Sequence, residues 1–155
     1  MQGAKETYTG NVVGLGGTTG TVLKQGEGDL TLTGNSTVAW TVAHSGLISS
    51  GSRFSGDVTL NDEGAWLELK DNTANVYGKK IQRTGEFIKS GSAKLLLTAD
   101  SSAFEGKTVV KEGTLSVGNA TGGKLGGDVE VEGEAVLSGT AYLAGRVKHI
   151  GDPGT

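Results

Sequence analysis

The sequence predicts an all-β fold, a right-handed parallel β-helix (a solenoid) of roughly seven rungs, and three observations predict it. First, short runs alternate between apolar and polar residues: "LTLTG", "DVTLN", "TLSVG", "DVEVE". Period-two alternation closed by turn residues is the pattern of short half-buried strands. Second, the chain has 28 glycines and one proline in 155 residues. The glycines follow no strict triplet, so they read as breaks between strands and not as collagen. Third, the chain repeats itself, and a long internal repeat points to a stacked architecture.

The repeat is read as follows. "GTVLKQGEGDLTLTGNST" from Gly20 lies over "GEFIKSGSAKLLLTADSS" from Gly85. Gly20/Gly85, Lys24/Lys89, Gly26/Gly91, Leu30/Leu95, Leu32/Leu97 and Thr33/Thr98 coincide. "TVAHSGLIS" from Thr41 then lies over "TVVKEGTLS" from Thr108, and "GDVTLNDEGAWLEL" from Gly56 over "GDVEVEGEAVLSG" from Gly127. The offset drifts by a few residues, as it does when insertions fall in turns. The second copy settles one ambiguity. "GSAKLLLTAD" at 91–100 could pass for a helix, but its counterpart "GEGDLTLTGN" could not, so both are strands.

In order along the chain, residues 1–19 form an N-terminal edge rung or a cut end. Residues 20–84 form the first repeat unit, with an irregular loop near 70–80. Residues 85–155 form the second unit and the C-terminal rungs. Strand pairs recur about 18–22 residues apart, at Leu97, Leu115 and Leu137. A coil of that length with short strands is one rung of a solenoid, whose inward side chains stack on those of the rungs above and below. Seven rungs at one strand spacing make a rod about 34 Å long. The expected inward ladder is Leu30, Leu32, Val58, Leu60, Leu95, Leu97, Val109, Leu115, Val117, Val129, Val131 and Leu137. Gly91, Gly113 and Gly133 fall at corners, where a positive φ is needed.

Composition excludes several classes. With no cysteine, there is no disulfide, thiolate metal site or cysteine nucleophile. A net charge of −3 and an isoelectric point near 5.4 oppose general nucleic-acid binding. No apolar run approaches the roughly 20 residues of a spanning helix. "MQGAKETYTG" lacks the apolar core of a signal peptide, so an exported protein would be represented here by a mature part or a cut-out piece.

The stretch 85–117, "GEFIKSGSAKLLLTADSSAFEGKTVVKEGTLSV", resembles the passenger-associated repeat of Gram-negative type V autotransporters. Gly85, Lys89, Gly91, Leu95, Leu97, Phe104, Gly106, Thr108, Val110, Gly113, Thr114, Leu115 and Val117 carry the resemblance. Ala93 and Ala99 depart from it, standing where that family often has glycine. The rungs that follow, closing near Pro153-Gly154, look like the C-terminal end of a passenger. The resemblance is strong over 85–155 and weaker over 20–69. It implies an autochaperone-like role, at the cell surface, at the outer membrane or in secreted form. The C-terminal rungs would fold outside first and offer a strand edge to the chain still arriving. The implied partners are the rest of the passenger and a translocator barrel.

Chemical sites are sparse. His44 and His149 stand near opposite ends, without the ligand cluster that a metal needs. No G-x-S-x-G elbow occurs. "GLGGTTG" at 14–20 lacks the lysine of a phosphate loop and reads as glycine corners. Asp128, Glu130 and Glu132 share one strand face opposite Val129 and Val131; that face reads as solvated, with a calcium site as the alternative. The sequons at Asn35 and Asn119 have no force in a bacterial protein. Trp66 and Tyr77 flank "KDNTANVYGKK", the expected partner loop if it protrudes. No cofactor and no enzymatic activity are expected. Besides the folding and secretion role, the alternative is an adhesive or self-associating rod. That rod would bind a host surface molecule, or pair as a homodimer through its end or side. Charge changes at Glu130 and Glu132 would then abolish binding and spare export.

Overall fold

The computed structural model describes residues 5–13, 20–118, 123–139, 142–143 and 145–150. Among these there is no helix, and nineteen short strands coil into a parallel β-solenoid of about seven turns. The strands are short because turn residues interrupt the alternating runs every few positions.

One side of the coil is a continuous parallel sheet of eight strands. In order they are Glu6–Tyr8, Leu30–Leu32, Ser45–Ser49, Ala65–Lys70, Glu86–Ser90, Lys107–Val110, Asp128–Glu132 and Val147–Ile150. Register gives the length of a turn. Leu30 pairs with Leu47, Glu86 with Lys107, and Lys107 with Asp128, so turns of 17 and 21 residues occur in one stack. The first turn is longer, at 24, because Glu6 pairs with Leu30. The second side carries Asn75–Tyr77, Lys94–Leu97, Thr114–Val117 and Val136–Gly139. Earlier in the chain it is reduced to single bridges joining Val12, Ser36 and Phe54. The third side carries Thr21–Lys24, Ala39–Val42, Val58–Leu60 and Ile81–Arg83. It is continued by the two-residue strands Asp100–Ser101, Lys124–Leu125 and Tyr142–Leu143. Every turn from Ala65 onward therefore has three paired strands, whereas each earlier turn has two plus a bridge.

Side chains that alternate inward stack in columns. Leu47, Leu67, Phe87, Thr108 and Val129 form one such column in register. Leu95 and Leu115 form another, with Leu137 partly buried at its end. Leu32, Val58, Leu60, Leu95, Leu97, Leu115, Val117, Val129 and Val131 all lie in one continuous buried cluster, and Leu30 packs half-buried against it.

Two corners show why glycine is required. Gly113 has a φ of 71°, and a Cβ there would run into the carbonyls of Gly91 and Ala93 in the turn before. Gly85, Gly106 and Gly127 form a second corner column, each pressed on a carbonyl of the preceding turn. Gly91 and Gly133 also take positive φ, at 80° and 54°. The segments 14–19, the Asn119 sequon and Pro153-Gly154 lie outside the described residues. At the other sequon, Ser36 is fully buried and its Oγ accepts a hydrogen bond from Trp40 Nε1 at 2.8 Å.

Three expectations are corrected. Val109 is buried, but it faces outward, in register with Ile88 and Glu130; Val110 takes the interior place. The stretch 70–80 is not an irregular insertion. Trp66 pairs with Glu86 across an ordinary 20-residue turn, and Asn75–Tyr77 is a regular strand beneath Leu95–Leu97. The two sequence copies also do not occupy the same sides. Thr21–Lys24 lies on the third side but its counterpart Glu86–Ser90 on the long sheet, and Leu30–Leu32 lies on the long sheet but Lys94–Leu97 on the second side. An offset of 65 residues is not a whole number of turns, so the second copy is rotated by one side.

Candidate functional site

The repeat builds its sites from corners, because the strand interiors are filled with apolar side chains. Lys89 is the last inward residue of Glu86–Ser90, two positions after Phe87, and is fully buried. Its Nζ donates to the carbonyls of Ser90 (3.0 Å), Gly91 (2.7 Å) and Glu112 (3.0 Å). The last of these belongs to the next turn. Burial pulls the Lys89 ammonium below the usual lysine value, while Asp71 and Glu112 act against that. Lys24, at the same place in the other copy, is also buried, and its Nζ donates to the His44 carbonyl of the next turn at 2.9 Å. Burial lowers it too, against Asp29. Asp71, buried at a neighbouring corner, accepts from the amide of Gly51 at 2.9 Å and from Asn75 Nδ2 at 2.9 Å.

Sequence reasoning noted that Lys24 and Lys89 coincide but not that both point inward. The signal was available in the alternation, which puts Lys89 on the same strand face as Phe87.

The expected partner pair separates. Tyr77 is 1% exposed, tilts against Phe54 with ring centroids 6.1 Å apart, and its hydroxyl donates to the Gly56 carbonyl at 2.6 Å. Burial, helped by Asp57, pushes its hydroxyl well above the ordinary tyrosine value. Tyr77 is a core residue and cannot meet a partner. Trp66 faces outward and half-buries its indole over the bare backbone of Gly46.

Outside, the long sheet carries a charge ladder. Lys107 Nζ lies 2.9 Å from Glu130 and 3.9 Å from Glu86, in the turns on either side. The hydrogen bond to Glu130 holds Lys107 above the usual lysine value. A groove of about 610 Å³ runs along the Gly85–Gly106–Gly127 corner, between carboxylates such as Glu63 and Glu105 and cations such as Arg146 and Lys148. His44 lies 3.9 Å from Asp62, while His149 Nε2 lies 2.9 Å from the Gly133 carbonyl. Among the described residues, no group of three or more His, Cys, Asp and Glu side chains is placed to hold a metal.

This geometry can stack and extend strands; its polar groups are spent on corners and on the outer ladder. The model of the passenger-associated-transport-repeat family matches residues 22–64 and 87–117. No curated protein and no solved structure matches the chain.

Proposed function

From a chain that carries two passenger-associated-transport-repeats, the repeat of autotransporter passengers, on a β-solenoid, we propose that this segment is a non-enzymatic folding module of an autotransporter passenger. It works at the surface of a Gram-negative cell, or in a secreted passenger. Its partners are the rest of that passenger and a translocator barrel.

One observation carries the reading: turns with three strands begin at Ala65 and continue to Leu143, whereas the turns before them have two. The C-terminal turns make more ladder hydrogen bonds each and form the sturdier unit. In a stack where each turn touches only its neighbours, folding spreads outward from such a unit. The edge of Ala65–Lys70 then serves as template for the chain N-terminal to it, since an unpaired strand edge recruits another strand. Burial of each arriving turn, at roughly 25 cal/mol per Å² of apolar surface, biases export forward.

The test uses the precursor that contains this segment. Residues 85–155 are deleted, and the segment is resupplied as a folded protein. The expected result is a displayed but protease-sensitive passenger that regains resistance when the segment is added. A deleted passenger that folds unaided would overturn the reading and make the outer face of the rod, as an adhesive surface, the place to search.

A further inference from the structure

Hydrophobic alternation fixes which face of a strand points inward, but it does not fix register completely. A slip by one residue turns every apolar side chain outward, whereas a slip by two leaves the inward and outward sets intact. Glu86–Ser90 is exposed to this problem. Its inward Phe87 meets Thr108 in the native register and would meet Val110 after a two-residue slip, with no loss of apolar contact.

Lys89 does not tolerate such a slip. It is fully buried, and one of its three acceptors, the Glu112 carbonyl, lies 23 residues on, in the next turn. That carbonyl is within reach because Lys89 is paired with Val110 at the corner. Slipped inward by two, Lys89 would stand opposite Thr108, between the columns of Leu67 and Val129, with its ammonium among apolar side chains. An unpaired buried ammonium is far costlier than a misplaced apolar side chain. Lys24, paired with Val42, repeats the arrangement on the third side with the His44 carbonyl.

We propose that Lys89 and Lys24 are register locks: inward ammonium groups that find acceptors on the next turn only when their strands are paired in the native register. The same logic lets a single buried polar residue fix the register of a coiled coil. The inference concerns pairing between turns and stands or falls independently of export.

The cysteine-free chain makes the test direct. Ile88→Cys with Val109→Cys joins two Cα partners and reports the native register. Ile88→Cys with Lys111→Cys reports a two-residue slip. Adjacent strand positions are close enough for a disulfide, whereas positions two further along are not. Each pair is refolded under oxidising conditions in the Lys89, Lys89→Met and Lys89→Arg backgrounds, and the cross-linked fraction is read by non-reducing electrophoresis. The slipped cross-link should rise on the order of tenfold with Met and return to the starting level with Arg. A slipped cross-link no higher with Met than with Lys would overturn the proposal, because a purely stabilising lysine would lower folding yield without changing register. If Lys89→Met does not fold, Lys24→Met is tested with Leu23→Cys against Thr41→Cys or Ala43→Cys, and the same two outcomes decide.

Discussion

Leu97→Asp is expected to leave the whole chain unfolded. Leu97 is 3% exposed and sits in register between Tyr77 and Val117, inside turns that have three strands each. Truncating a buried leucine alone costs about 2–5 kcal/mol, and a carboxylate in its place has no donor to meet it. The sum rivals the entire stability of a domain, about 5–15 kcal/mol. Leu115→Asp, one column over, should behave alike. Far-UV circular dichroism and a thermal melt check this. A variant that keeps a cooperative melt within a few degrees of the parent would show that the columns do not hold the coil.

Leu32→Asp is expected to act differently, although Leu32 is as well buried at 4% exposure. It lies in a turn with two strands and a single bridge at Ser36. The energetic loss per residue is similar, but in a nearest-neighbour stack it stays local unless the damaged turn supports the rest. Turns before Ala65 should melt, while a core from about residue 65 to 150 persists. Limited proteolysis with mass spectrometry reads this as a resistant C-terminal fragment. Loss of both halves together would mean a single cooperative unit, and the distinction between sturdy and dependent turns would fall.

These contrasts rest on features that differ in how visible they are from sequence. The parallel coil and most inward residues were legible, because alternation and a long repeat are direct consequences of stacked strands. Val109 was the wrong valine for a simple reason: "KTVV" holds two adjacent valines, and only the inward Thr108 shows that Val110 is the interior one. Asn75–Tyr77 was hidden because its polarity is reversed. Val76 faces out at 57% exposure, while the inward positions are Asn75 and Tyr77, between turn-forming residues. The rotation between the two copies was implicit in the numbers, since 65 residues do not divide into turns of 20 and 21. The inward lysines were the least legible. A lysine in an alternating run reads as outward until its acceptors are seen, and those acceptors are carbonyls that no sequence pattern marks.

The central claim is an order of events: the turns from Ala65 onward form first and template those before them. Pulsed hydrogen exchange during refolding, read by mass spectrometry, tests it most directly. The account predicts early protection across Ala65–Lys70, Lys94–Leu97, Thr114–Val117 and Asp128–Glu132. Protection of Leu30–Leu32, Ala39–Val42 and Ser45–Ser49 should follow. Protection that begins in the N-terminal turns, or rises everywhere at one rate, would contradict it.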